Sequence, residues 1–182
     1  MFLVALNKRL RDQNWFSKNS IKEPHLMDVL DLVSLGTVCD VVPLIGLNRA
    51  FVKQGLKVLK KKKNLGLKTL IEVCNIEKTI TAHELGYALG PRINAGGRVG
   101  KSTHGVNLLL NQSPKNAFKL AADLNTYNEE RKILETELLN KIMNTDYKNN
   151  TDPVIILYGE NWHEGIIGII ASRVKDKFNK PT

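Results

Sequence analysis

Gly90-Pro91-Arg92-Ile93-Asn94-Ala95-Gly96-Gly97-Arg98-Val99-Gly100 is the stretch on which the reading of the fold turns. Four glycines and a proline in eleven residues are poor material for the interior of a helix or strand, so the pattern predicts a backbone held in turns. Arg92 and Arg98 stand in it with Asn94 as the other polar side chain. Exposed amides, close backbone approach and two guanidinium forks suit a phosphodiester oxygen, and a helix predicted from Ser102 would add a positive terminus nearby. The plainer alternative is a tight turn between domains whose arginines cap carbonyls. The stretch by itself leaves the two readings level.

Upstream, Thr81 caps a predicted helix from Ala82 to Leu89 that delivers the chain into the glycine-rich stretch, with His83 on its surface. Before it come a short helix from Gly66 to Cys74 and a longer one opened by Leu47-Asn48, with Asn48 as its cap and Phe51, Val52, Leu56 and Leu59 as its apolar face. That helix runs into Lys60 to Lys63, a solvated end where cations suit the helix dipole. A further helix, Leu26 to Leu35, puts Asp28 and Asp31 on neighbouring turns and leads into Gly36-Thr37-Val38-Cys39-Asp40-Val41-Val42-Pro43-Leu44. Asp40 is the odd residue there. An acid in so apolar a run needs a partner, either a lysine or a hard dication. Met1 to Trp15 reads as an amphipathic helix without a cap, as though the chain began inside a larger element.

Downstream, the helix from Ser102 to Leu110 carries His104, expected to face water in preference to the glycine-rich stretch. Ser113-Pro114 then opens a pattern that continues without a breaker to about Asn144. A rod of ~30 residues spans about 45 Å, so its ends are expected to serve different domains. Arg131 and Lys132 could line a cleft between them, but the acids at Glu129, Glu130, Glu135 and Glu137 favour an exposed, ion-paired face. After a polar turn at Tyr147 to Thr151, Val154 to Tyr158 reads as a strand apolar on both faces. It leads through Trp162-His163-Glu164-Gly165 into a helix from Ile166 to Phe178. No neighbouring strand is visible, so the chain looks truncated at both ends.

The 182 residues carry 27 Lys and Arg against 18 Asp and Glu, a formal charge of +9 that points weakly to a polyanionic partner. Cys39 and Cys74 are far apart and outside any Cys-x-x-Cys pattern, which argues against a disulfide framework or a zinc site. With no long apolar run, the chain reads as cytoplasmic and away from membranes.

Three motifs, Ser34-Leu-Gly-Thr-Val-Cys-Asp-Val-Val-Pro-Leu44, Gly90-Pro-Arg-Ile-Asn-Ala-Gly-Gly-Arg98 and Trp162-His-Glu-Gly-Ile-Ile-Gly-Ile-Ile-Ala-Ser-Arg173, together resemble the RecJ family of single-stranded-DNA exonucleases, within the DHH phosphoesterase superfamily. The resemblance covers essentially the whole chain and corresponds to the middle of the family's proteins. It implies an α/β fold: the C-terminal part of a DHH catalytic domain (1–112), a long connecting helix (113–146) and the beginning of a DHH-associated α/β domain (147–182). It further implies hydrolysis of single-stranded DNA from the 5′ end with Mn2+ or Mg2+, for repair and recombination. In that scheme Asp40 matches a catalytic, metal-holding aspartate, Arg92, Asn94 and Arg98 match a phosphate-contacting loop, and Trp162, His163, Gly165 and Arg173 match a substrate-facing motif.

The family's early aspartate-rich motif and its Asp-His-His triplet are absent, since His25, His83, His104 and His163 are all isolated. A later glycine- and serine-rich motif is missing too. The expectation is therefore a segment inactive alone, working with a companion fragment that carries the missing ligands. The alternatives are a non-catalytic single-strand-binding remnant, marked by metal-independent, salt-dependent binding, and a phosphodiesterase of short or cyclic nucleotides, marked by its preferred substrate length.

Overall fold

The computed structural model describes residues 1–143 and 152–182. Every regular element among them is helical, which corrects the α/β expectation. In chain order these are α1 (Phe2–Asp12), the short α2 (Trp15–Lys18), a 3-10 turn (Leu26–Val29) running into α3 (Leu30–Cys39), α4 (Gly46–Leu59), α5 (Leu65–Val73), α6 (Ala82–Glu84), a π-helical turn (Leu85–Leu89), α7 (Gly90–Val99), α8 (Thr103–Leu110), α9 (Pro114–Met143) and α10 (Glu164–Phe178). None is long and apolar enough to cross a membrane.

The largest difference from the sequence reading is the opening stretch itself. Gly90–Val99 is a helix. The helical run is unbroken from Ala82 to Val99, and Pro91 follows directly on its π turn, where the widened turn accommodates a ring and the N–H that proline lacks. Three of the four glycines, Gly90, Gly96 and Gly100, answer to packing rather than to turns. None of the four has a positive φ. A Cβ on Gly90 would lie 2.4 Å from Cys39 Sγ, one on Gly96 2.9 Å from the Lys101 carbonyl, and one on Gly100 2.4 Å from the Tyr127 ring. Helix propensity is forfeited at each position so that α3, α9 and the following loop can come close. The amides of this stretch are accordingly spent on the helix, and no backbone cradle for phosphate exists there.

The second difference is at Val154 to Tyr158, where no strand forms. Among the described residues the segment makes one backbone bond, from the Ile155 N–H to the Pro181 carbonyl at 2.8 Å. Nor is it apolar-buried on both faces: Ile155 is buried, while Ile156 and Tyr158 are 80% and 91% exposed. Strand identity requires a paired neighbour, and the described residues supply none. The polar turn expected at Tyr147 to Thr151 lies outside the described residues.

Two apolar clusters organise the molecule. The first gathers Leu35, Leu59, Leu67, Leu70, Leu85, Leu89 and Leu108 against Ala117, Ala121 and Leu124 of the N-terminal half of α9. The second gathers Leu138 and Ile142 of its C-terminal half with Ile155, Ile166, Ile170 and Val174. Burying each large aliphatic side chain is worth about 1.5–3 kcal/mol, and α9 receives such contacts along its length. Thr81 caps α6 as its sequence suggests, in a reciprocal box with Glu84: the Thr81 hydroxyl accepts from the His83 amide, and the Glu84 carboxylate accepts from the Thr81 amide at 2.8 Å. At α4 the cap is displaced: the helix starts at Gly46, and Asn48 Nδ2 donates to the Pro43 carbonyl instead.

Candidate functional site

α7, α9 and α10 meet around a cleft of about 340 Å³. Its wall includes Asn94 and Arg98 from α7, Asn128, Arg131 and Lys132 from α9, and Arg173 from α10, with Cys39, Gly86, Tyr87 and Gly90 along the far side. Four of the lining residues are cationic and none is acidic. That composition makes a concave, positive surface, the arrangement that concentrates polyanions.

Close packing brings the three helices to this point. A Cβ on Gly165 would lie 2.1 Å from the Arg98 carbonyl, so only glycine lets the start of α10 lie against the end of α7. Arg98 Nη1 donates to the Gly165 carbonyl at 3.2 Å and ties the same two helices. His163 caps α10, its Nδ1 accepting from the Gly165 amide at 3.0 Å. Below the cleft, Asn128 and Glu135 are buried on α9. Arg131 donates to Glu135 Oε2 at 2.7 Å and to Asn128 Oδ1 at 3.3 Å, and Arg173 Nε lies 3.4 Å from Glu135 Oε1. Lys132 pairs with Glu129 at 2.9 Å, and that contact holds the Glu129 carboxyl below the usual carboxylate range.

The site residues expected from sequence fall into separate places. Asn94, Arg98 and Arg173 share the cleft. Arg92 does not line it: its Nε donates to Asn125 Oδ1 and its Nη1 to the Ala88 carbonyl, each at 2.8 Å, fastening α7 and the π turn to α9. Trp162 packs on the second cluster, its ring filling the space a Gly159 Cβ would need, and it lines a different, apolar groove with Ile155, Ile156 and Tyr158. Gly165 and His163 build the α7–α10 junction.

Asp40 is exposed at the C-terminal end of α3, next to cleft-lining Cys39, and its carboxylate makes no hydrogen bond or ion pair among the described residues. Asp40 is thus neither buried nor partnered as expected. The acid of this region that is buried is Asp31, one of the pair on neighbouring turns: it is 3% exposed, and burial pushes its carboxyl above the ordinary range. His104 also departs from expectation. Its side chain is 13% exposed, with Nδ1 3.8 Å from Asp123 and the ring 5.7 Å from that of Tyr127. Among the described residues no three His, Cys, Asp or Glu side chains converge on a point that could hold a metal ion, so the donors of these residues do not suffice for a hard dication.

The network of Asn128, Arg131 and Glu135 was hidden in the sequence by its neighbours. Charges at i, i+3 and i+4 on a long helix read as a solvated face. Only the docking of α10 buries this one, and the apolar run of α10 opposite it, Ile166, Ile170 and Val174, is the signal that something packs there.

In sequence the chain is similar to nucleases specific for single-stranded DNA. The chain corresponds to one segment of the RecJ exonucleases: it is 40% identical to the single-stranded-DNA-specific exonuclease RecJ of Dickeya dadantii over 98% of its own length and 32% of the relative's, and 41% identical to that of Escherichia coli over the same shares. It therefore spans about a third of the length of these curated relatives. Two solved structures agree. RecJ of Thermus thermophilus in complex with Mn2+ superposes with a TM-score of 0.78 at 31% identity, covering 91% of this chain and 24% of that one. An exonuclease RecJ bound to manganese gives 0.77 at 32%, covering 91% and 41%. No protein-family model matches the chain.

Proposed function

We propose that the chain is the strand-gripping segment of a RecJ-like 5′-to-3′ exonuclease, and that single-stranded DNA runs through the cleft between α7, α9 and α10. The observation that carries this reading is the convergence of Arg98, Arg131, Lys132 and Arg173 on one concave wall without an acid among its lining residues. Single strands are held chiefly through their phosphates, and guanidinium forks present paired donors to phosphate oxygens. Asn94 adds an amide to the same wall. A cytoplasmic location and a part in DNA repair and recombination follow from that substrate. The division into a catalytic-domain portion (1–112), a connecting helix (113–146) and an associated-domain portion (147–182) agrees with two apolar clusters sharing α9.

Asp40, exposed and unpaired among the described residues beside the cleft, is the residue of this chain proposed to contribute to an Mn2+ or Mg2+ site, completed by groups from the rest of such an enzyme or a companion fragment. One carboxylate cannot position the two ions of such a centre. The isolated chain is accordingly expected to release no nucleotides from a 5′ end with either ion. Trp162 and His163 are assigned to support of the α10 end of the cleft.

The test is a titration of a fluorescent oligo-dT with the full chain at several salt concentrations, followed by anisotropy. Arg98→Ala and Arg173→Ala should each weaken binding about tenfold and flatten the salt dependence by about 0.7 in logarithmic slope, the loss of one phosphate contact to a single strand. Lys61→Ala, on a solvated helix end, should change affinity far less. Equal effects at all three positions would leave general charge as the explanation and reject the cleft.

A further inference from the structure

Glu135 is an acid beneath the cationic cleft, outside the residues that line it. It is buried, and its two carboxylate oxygens divide between two helices: Oε2 accepts from Arg131 Nη1 at 2.7 Å on α9, and Oε1 faces Arg173 Nε of α10 at 3.4 Å. The two arginines differ in kind. Arg131 is 15% exposed, with Nη1 on Glu135, Nη2 on Asn128 and Nε buried without an acceptor. Arg173 is 64% exposed, its nearest approach to Glu135 is through Nε, and neither terminal nitrogen has a hydrogen-bond partner among the described residues. Arg131 is thus consumed by the interior, while Arg173 presents its fork to the cleft.

We infer that Glu135 is a positioning residue: it links the buried Arg131–Asn128 pair to the exposed Arg173, fixing the guanidinium that reads a strand phosphate and joining α9 to α10 beneath it. This rests on the cleft being the strand site. A free arginine loses much rotamer entropy on binding, and a carboxylate held rigid by Arg131 removes part of that loss beforehand. The inference has a sign that simple charge does not. By Coulomb attraction alone, deleting an acid from an anion site strengthens binding. Positioning requires the reverse.

The experiment titrates a fluorescent oligo-dT with the full chain carrying Glu135→Gln, Arg173→Ala, Arg173→Lys or the Glu135→Gln/Arg173→Ala pair, with thermal unfolding of each. Glu135→Gln should weaken binding about fivefold although it makes the cleft more positive, and should flatten the salt slope toward that of Arg173→Ala. In the Arg173→Ala background it should add no further loss. Arg173→Lys keeps the charge without the Nε donor, leaves buried Glu135 untouched and should behave like Arg173→Ala, which tests the inference even if Glu135→Gln fails to fold. Unchanged or tighter binding by folded Glu135→Gln, a loss that persists without Arg173, or wild-type binding by Arg173→Lys would overturn the inference. If Arg98→Ala and Arg173→Ala both bind as wild type, the cleft reading falls and the positioning role with it. If those two weaken binding and Glu135→Gln does not, only the positioning role falls.

Discussion

Two buried carboxylates of this chain should respond to pH in opposite directions. Glu84 accepts from the Thr81 hydroxyl and amide and pairs with Lys78 at 3.0 Å, contacts that hold its carboxyl far below the usual range. A depressed folded value means the contribution is complete above the ordinary glutamate range, near pH ~4.3, and is lost as pH falls below it. Asp31 is the reverse. Burial raises its carboxyl, so the favourable protonated form is present below pH ~3.9 and that contribution is lost as pH rises through the raised value. Urea unfolding across pH should therefore show Glu84→Gln destabilised at pH 7 with the difference shrinking in acid. Asp31→Asn should be more stable than the wild type at pH 7, and a decrease there would mean that the ionised carboxylate has a partner the fold depends on. Thr81→Ala, which removes the other half of the capping box, should lower stability by about 1 kcal/mol in the same measurement.

The junction of α7 and α10 is where a single methyl group should matter most. With a Cβ only 2.1 Å from the Arg98 carbonyl, Gly165→Ala must push α10 away, at about 1–3 kcal/mol. Gly97→Ala, one residue before Arg98 on α7 but with open space around it, serves as the control and should be neutral or slightly stabilising through helix propensity. Equal unfolding midpoints for the two variants would refute the close approach. The same residues show which elements could be read from the sequence. α9 was legible because its apolar period and its Ser113-Pro114 start agree with the packing that follows, and Thr81 because a capping box is local chemistry. The segment from Gly90 to Gly100 was not, because propensity rules see glycine's backbone freedom and not the neighbouring helices that require its missing side chain. Val154 to Tyr158 misled for a related reason: an apolar β-branched run specifies a strand only where another strand is present. Within the site, Arg98 and Arg173 were legible as isolated cations in motifs, whereas Asn128, Arg131 and Glu135 became a buried network only through α10.

At the scale of the molecule, α9 is the common wall of the two clusters and gives buried residues to both, while α7 touches them only through the partly buried Ile93 and Val99. Leu124→Ala and Ile170→Ala each remove a buried aliphatic side chain, at about 2–5 kcal/mol. Hydrogen exchange should separate them: Ile170→Ala should accelerate exchange in α10 and spare α5 and α8, while Leu124→Ala should do the opposite. A uniform acceleration would show one cooperative unit and remove the basis for dividing the chain at α9. The cleft sits where the two clusters meet, so a strand bound there would contact both. The most direct measurement of the central claim is a hydrogen-exchange footprint of the full chain with and without oligo-dT at low salt. The account predicts slowed exchange at the end of α7 around Arg98, along α9 from Asn128 to Lys132 and on α10 around Arg173, with Lys60 to Lys63 unchanged. Slowing confined to the lysine run, with the three helices of the cleft unaffected, would contradict it.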